Sequence, residues 1–279
     1  MSGESAHLVL VEDVLWIVTQ NVGMARYDFP FEQFFQTRHP IQHQSVRAVA
    51  RLGAAADYGQ RFHSLLSQGI ELIHTPTQYD LTSHLPNWYP LISDLTPRSR
   101  WFDQRPSADE ISADFNWPVF IKGERQTSRH QRRLSIIEGP EQFEQAMDEW
   151  AADPILQWQK VVCREFVPLR QVGEQSNQTI PRSFEFRSFW WGKDCVGIGP
   201  YWTDAHYELT AVERADALSV AGEVARRLNV TFLVVDVAQT AEGKWVVIEC
   251  NDGQDSGYAG VAPMLMWRKV IDSYARGPV

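Results

Sequence analysis

The sequence predicts an α+β protein in two parts: a smaller α/β unit over residues 1–110 and a larger unit over residues 111–279, built mainly on antiparallel sheet. Three observations lead there. Short β-like runs and helical periods alternate along the chain. Between the two units, Thr75 to Ser107 is punctuated by Pro76, Pro86, Pro90, Pro97 and Pro106, which reads as a long ordered connection. Beyond it, hairpins are separated by single helices, an order that favours antiparallel sheet.

In the first unit, His7 to Val11 and Leu15 to Thr19 are expected strands. Ser45 to Gln68 shows a helical period through Val46, Val49, Ala50, Phe62, Leu65 and Leu66. Gly69 ends it as a C′ residue, and Ile70 to His74 is a further strand. The second unit opens near Ile111, and WPVFIK (Trp117 to Lys122) is a compact strand. Pro140 starts a helix carrying Phe143, Ala146, Met147 and Trp150 on one face. Gln159 to Val167 is a strand closed by Pro168. Ser183 to Trp191 and Cys195 to Ile198 form a hairpin. Glu213 to Leu228 is an amphipathic helix leading into a last hairpin, Thr231 to Ala238 with Trp245 to Cys250.

At 279 residues the chain can hold one large domain or two modest ones. Its 44% hydrophobic and 12% aromatic content suit a well-buried core. A net charge of −9 argues against unselective nucleic-acid binding, though not against a local basic groove. Cys163, Cys195 and Cys250 lack CxxC spacing and read as buried thiols of a reducing cytosol. Glu12 and Asp13 interrupt the first apolar stretch, so no signal peptide is expected, and no apolar run is long enough to span a bilayer. A soluble, cytoplasmic protein is expected.

The last hairpin holds the strongest chemical signal. With Glu242 and Gly243 as a two-residue loop, Ala241 faces Lys244 and Asp236 falls opposite Glu249. Alternation puts Asn251 on the face of Glu249, while Val235, Val237, Val246, Ile248 and Cys250 form the apolar face. Opposed carboxylates repel, and a hard cation such as Mg²⁺, which takes oxygen ligands, would remove the penalty. A register shift or a nearby Arg would remove it as well.

Of 26 Lys and Arg residues only five are Lys, so Lys122 at a strand end is a candidate phosphate ligand, as well as an ordinary snorkelling side chain. The loop after it, GERQTSRHQRR (Gly123 to Arg133), could cover polyphosphate with Arg125, Arg129, His130, Arg132, Arg133, Thr127 and Ser128, or be a solvated charged loop. Glu165, Phe166 and Val167 end a strand at Pro168. Free main-chain groups there could pair with a purine edge while Glu165 accepts from ribose hydroxyls. Glu185 and Arg187 share a strand face, either as a structural ion pair or as a phosphate-binding Arg held by Glu185.

Taken in order, these pieces resemble the ATP-grasp superfamily, over about Ile111 to Pro263. The resemblance implies an ATP-grasp fold of two α+β subdomains gripping the nucleotide, behind an N-terminal partner domain. It makes Lys122 the strand-end phosphate lysine, Glu165 to Val167 the adenine and ribose hinge, and Arg187 the basic residue of the central hairpin. Asp236, Glu249 and Asn251 match the Mg²⁺ ligands, spaced D, then E-x-N. The wording VVDVAQ…WVVIECNDGQDSG is similar to a bacterial and phage clade related to the cell-division-cycle chaperones that assemble a translation initiation factor. One departure is that only Gly123 precedes Gly139 where many such ligases carry a glycine-rich phosphate loop.

The resemblance implies ATP and Mg²⁺ as cofactors and an ATP-dependent ligase. A substrate carboxylate, on a small molecule or peptide, would become an acylphosphate with release of ADP and then join an amine or other nucleophile. Lys122 and Arg187 would act on the transferred phosphoryl group, with Asp236 also at the nucleotide. An ATP-binding assembly chaperone with a protein partner is the alternative. ATP-dependent RNA or nucleotide modification is a weaker one, given the acidic total charge.

Overall fold

Glu12 and Asp13 both take left-handed backbone, at φ 52° and 56°, and bend the chain between its first two strands. β1 (Ala6–Val11) and β2 (Leu15–Gln20) form that hairpin, with Val11 opposite Leu15. This computed structural model describes residues 6–20, 29–39, 45–53, 57–125 and 131–277. After α1 (Phe31–Phe34), β3 (Thr37–Arg38) lines the free edge of β1. β4 (Val46–Arg51) lies parallel to β2, and β5 (Ile70–Leu72) follows α2 (Tyr58–Leu66) to lie parallel to β4. The first sheet therefore runs β3-β1-β2-β4-β5.

The helix expected over Ser45 to Gln68 is half wrong. Its first part is the strand β4, whose residues from Ala48 to Arg51 are all buried. A strand covered on both faces loses its alternation, and its apolar run then reads as readily as a helix. The helix itself starts at Tyr58, where the Asp57 carboxylate caps the Gln60 amide at 2.8 Å.

Thr75 to Ser107 is also more regular than a connection. It contains α3 (Pro76–Ser83), α4 (Leu85–Ile92) and β6 (Ser99–Phe102). Pro76 and Pro86 sit in first turns, where the missing N–H costs nothing, so these prolines start helices rather than break them.

After α5 (Ala108–Asp114) come β7 (Val119–Gly123), β8 (Ile136–Ile137), α6 (Pro140–Ala152) and β9 (Val161–Glu165). They make an antiparallel sheet of order β6-β9-β7-β8. As expected, α6 buries Phe143, Ala146, Met147 and Trp150, here against Ile111, Phe115, Val119 and Ile121.

The third sheet, β11-β10-β12-β13, is built from β10 (Glu185–Trp191), β11 (Asp194–Pro200), β12 (Phe232–Gln239) and β13 (Trp245–Asp252). Helix α7 (Ala211–Leu228) covers one face through Ala217, Ala221, Val224 and Leu228. On the other face, Phe189, Phe232 and Val234 meet Met266, Trp267 and Val270 of α8 (Pro263–Ala275) and Val9, Leu15 and Ile17 of the first sheet. Among the described residues no helix is long and apolar enough to cross a membrane.

Asp236 does face Glu249, but by another route than a two-residue turn. The Thr240 amide donates to the Lys244 carbonyl at 2.7 Å around a three-residue loop, with Gly243 at φ +89°. Val237 then pairs with Val247, one residue out of the expected register, and a bulge between Asp236 and Val237 restores it. In consequence Val247, not Val246, joins Val235, Val237 and Cys250 in the core, and Ile248 turns into a cleft.

Candidate active site

Residues of the second and third sheets line a cleft of about 1800 Å³. Arg164 on β9 fixes the relation of the two sheets from beneath. Its guanidinium donates to Ser99 Oγ at 3.1 Å, to Thr96 Oγ1 at 2.6 Å and to the carbonyl of the bulged Ile248 at 2.8 Å. Burial pushes this guanidinium down to about 10.

Lys122, near the end of β7, does not snorkel. It is 5% exposed, and its Nζ pairs with Glu249 across the gap between the sheets. Asn251 Nδ2 donates to the other Glu249 oxygen at 3.2 Å. Burial works to raise the Glu249 carboxyl, but the Lys122 charge and these hydrogen bonds hold it below its ordinary value. Arg187 stands opposite Asp236 in the ladder of β10 and β12. Its Nε and Nη2 reach the two Asp236 oxygens at 2.9 and 2.7 Å, and Nη1 donates to the Gly257 carbonyl at 2.9 Å. Burial keeps the Asp236 carboxyl above its ordinary range in spite of this partner.

The expected pairing of Glu185 with Arg187 does not form. Register carries Arg187 to Asp236, while Glu185 is 6% exposed and accepts from Ser183 Oγ at 2.9 Å through Oε2. Burial, then the neighbouring Asp236 charge, pushes the Glu185 carboxyl up to about 8. Glu165 ends β9 exposed, with its amide on the Arg98 carbonyl at 2.8 Å. Phe166 and Val167 line the cleft beside it, and their main chain makes no hydrogen bond to any described residue.

The basic loop divides. Arg125 Nη2 donates to the Tyr79 hydroxyl at 2.6 Å, and its guanidinium lies 5.7 Å from the Tyr79 ring and 6.0 Å from the Trp158 ring. Arg132 and Arg133 instead pair with Glu138 and Glu149. Thr127, Ser128, Arg129 and His130 lie outside the described residues.

The structure thus brings Lys122, Glu165, Phe166, Val167, Arg187, Glu249 and Asn251 to one cleft, with Asp236 directly behind Arg187. Sequence reasoning missed Arg164, Tyr79, Trp158 and Asp255 of this lining. A buried Arg in an otherwise apolar strand (VVCREF) was the available signal for the first. Tyr79 and Trp158 come from distant segments and left none. Among the described residues no group of three or more His, Cys, Asp or Glu could hold a metal, so the candidate donor set is two carboxylates and an amide.

The model of an ATP-grasp domain, the third family of its clade, matches residues 102–270. Solved structures share the fold at low identity. VanG D-Ala:D-Ser ligase from Enterococcus faecalis has a TM-score of 0.60 at 16% identity, covering 88% of this chain and 76% of that one. The RimK domain ATP-grasp protein from Sphaerobacter thermophilus has 0.56 at 18%, covering 83% and 81%. D-alanine–D-alanine ligase from Bacillus anthracis, complexed with ATP, has 0.56 at 14%, covering 82% and 79%. No curated protein sequence matches the chain. With a strand-built cleft of this geometry and a family match over more than half its length, the chain belongs to this ATP-grasp domain family.

Proposed function

We propose that the protein is an ATP-dependent ligase that activates a carboxylate as an acylphosphate, releases ADP, and joins the acyl group to an amine or another nucleophile. One observation carries the reading. Two cations and two carboxylates, Lys122 with Glu249 and Arg187 with Asp236, are gathered at the floor of a single cleft. The carboxylates hold the cations in place, and a polyphosphate entering the cleft meets them already positioned.

The purine edge pairs with the free main chain at Phe166 and Val167, over Ile248 as an apolar floor. Glu165 accepts from the ribose hydroxyls, with Glu185 a second acceptor. The Asp236, Glu249 and Asn251 oxygens fit Mg²⁺, a hard cation that prefers such donors, and these residues would hold it. Bound there, it would supply positive charge to the phosphate oxygens. Lys122 and Arg187 neutralise charge on the transferred phosphoryl group as the substrate carboxylate attacks the γ-phosphorus and the bond to the bridging oxygen breaks. The nucleophile then attacks the acyl carbon, loses its proton, and phosphate leaves.

Small-molecule and peptide carboxylates are both candidates, since the ATP-grasp ligase PsnB, solved with a precursor peptide and AMPPNP, shares the fold at TM-score 0.51 and 12% identity. The buried, unpaired Cys163 and Cys250 suit a cytoplasmic setting. The test is release of ADP and phosphate by the full chain with ATP, Mg²⁺ and pooled amino acids and peptides. Release that needs both carboxylate and acceptor, and is abolished by Asp236→Asn, is expected. Tight ATP binding without acceptor-dependent turnover would point instead to an assembly chaperone with a protein partner.

A further inference from the structure

The cleft is larger than a nucleotide site needs. Small-molecule pockets run to roughly 300–1,000 Å³, against about 1800 Å³ here. Past Asn251 the lining continues into the loop 252–257, which reaches α3. That loop is rigidly held. Arg51 Nη1 donates to the carbonyls of Gly253, Gln254 and Ser256 at 2.9, 2.8 and 3.1 Å. Asp252 takes His74 Nδ1 on one oxygen at 2.6 Å and the Gln254 amide on the other at 2.7 Å.

The second acid of the loop is treated differently. The Asp255 carboxylate meets the Tyr79 hydroxyl, which also receives Arg125, and the Tyr79 ring is stacked on Tyr58 at 4.0 Å. Asp255 Oδ2 is shielded from solvent and accepts no hydrogen bond among the described residues. A buried carboxylate oxygen without a donor is costly. Half a turn about the Cβ–Cγ bond, a soft torsion for Asp, would exchange the two oxygens and present this one to the cleft.

We propose that Asp255, oriented by Tyr79, binds the protonated amino group of the acceptor, so that the acceptor substrate is a primary amine, such as an amino acid or peptide N-terminus, and not a hydroxyl or thiol compound. The inference rests on the ligase reading and names the acceptor class for it. The chemistry is direct: an acid in a rigid, partly dry pocket is best satisfied by a cationic N–H donor. Burial and the Asp252 charge raise the Asp255 carboxyl, which increases its demand for such a partner.

The test uses the full chain in a thermal-shift titration with two probe panels: the L-amino acid amides, and the 2-hydroxy amides in which only the amino group is exchanged for hydroxyl. A separate titration uses ATP with Mg²⁺. Saturable stabilisation by one or more amino amides is expected, with none by the matching hydroxy amides. Asp255→Asn should weaken that binding at least tenfold and leave the ATP shift within twofold. Tyr79→Phe should weaken it less. The unliganded melting temperature of each variant reports folding. Absence of any amino amide shift in the native protein, an equal response to the hydroxy amides, or full retention of the shift in Asp255→Asn would overturn the proposal while the ATP shift stands. Loss of the ATP shift in the native protein would instead overturn the ligase reading, and the acceptor role with it.

Discussion

The two ion pairs under the cleft stand on different ground. Arg187 and Asp236 face each other within one sheet, 11% and 1% exposed, and both carboxylate oxygens are taken by a rigid fork. Lys122 and Glu249 come from different sheets, 5% and 19% exposed, and are joined through a point charge on a flexible stem. The first pair is fixed by strand register. The second can open without disturbing either sheet, because an ammonium can leave a carboxylate for a phosphate oxygen by rotating its own side chain. The difference separates a group that is positioned from a group that can follow its ligand.

The largest effect should come from Arg187→Met, which leaves Asp236 buried without its cation. We expect about 3–5 kcal/mol of stability to be lost in urea unfolding. A loss near zero would show that the pair is not the fixed one. Lys122→Met should cost about 1–2 kcal/mol, since Glu249 keeps Asn251 and is partly open to the cleft. Its ATP-dependent phosphate release should nevertheless fall at least ~10²-fold. Equal stability losses in the two variants would erase the contrast.

Glu185 sharpens it by titration. Its carboxyl stands at about 8 in the folded chain against an ordinary 4.5. With the folded value raised, its contribution is complete below about 4.5 and is lost as pH climbs through 8, because the unfolded chain gives up the proton first. Glu185→Gln cannot titrate there. Urea midpoints at pH 5, 6.5 and 8 should therefore move steadily in favour of the variant, by something on the order of 1–2 kcal/mol over the range. Parallel pH profiles would mean that Glu185 is not held protonated. The smallest change is a control on the same hairpin. Gly243→Ala meets no atom within 4 Å but sits at φ +89°, so it should cost ~1 kcal/mol with ATP turnover unchanged.

Legibility followed sequence distance. The opposition of Asp236 and Glu249 could be read because a hairpin is local, yet it was reached through two offsets that cancel. The loop is one residue longer than expected, and the bulge puts one residue back. What joins distant segments was invisible: the Lys122 pair spans 127 positions, and the Arg164 contact to the Ile248 carbonyl spans 84. Strand β4 was hidden because burial on both faces removes the periodicity that marks a strand. Helices α3 and α4 were hidden because a proline that begins a helix looks, residue by residue, like one that ends it.

The cage of carbonyls around Arg51 has a mechanical consequence. Gly253, Gln254 and Ser256 follow β13 in the chain but are tied to β4 of the first sheet, through Arg51 and through the Ala50 amide on Gln254 Oε1 at 2.9 Å. A rigid displacement of the first sheet would therefore carry this wall of the cleft with it, while Glu249 and Asn251 stayed with the third sheet. The seam along which the cleft can widen then falls between Asn251 and Gly253, within one continuous strand end, and not at the junction between the N-terminal third of the chain and the rest.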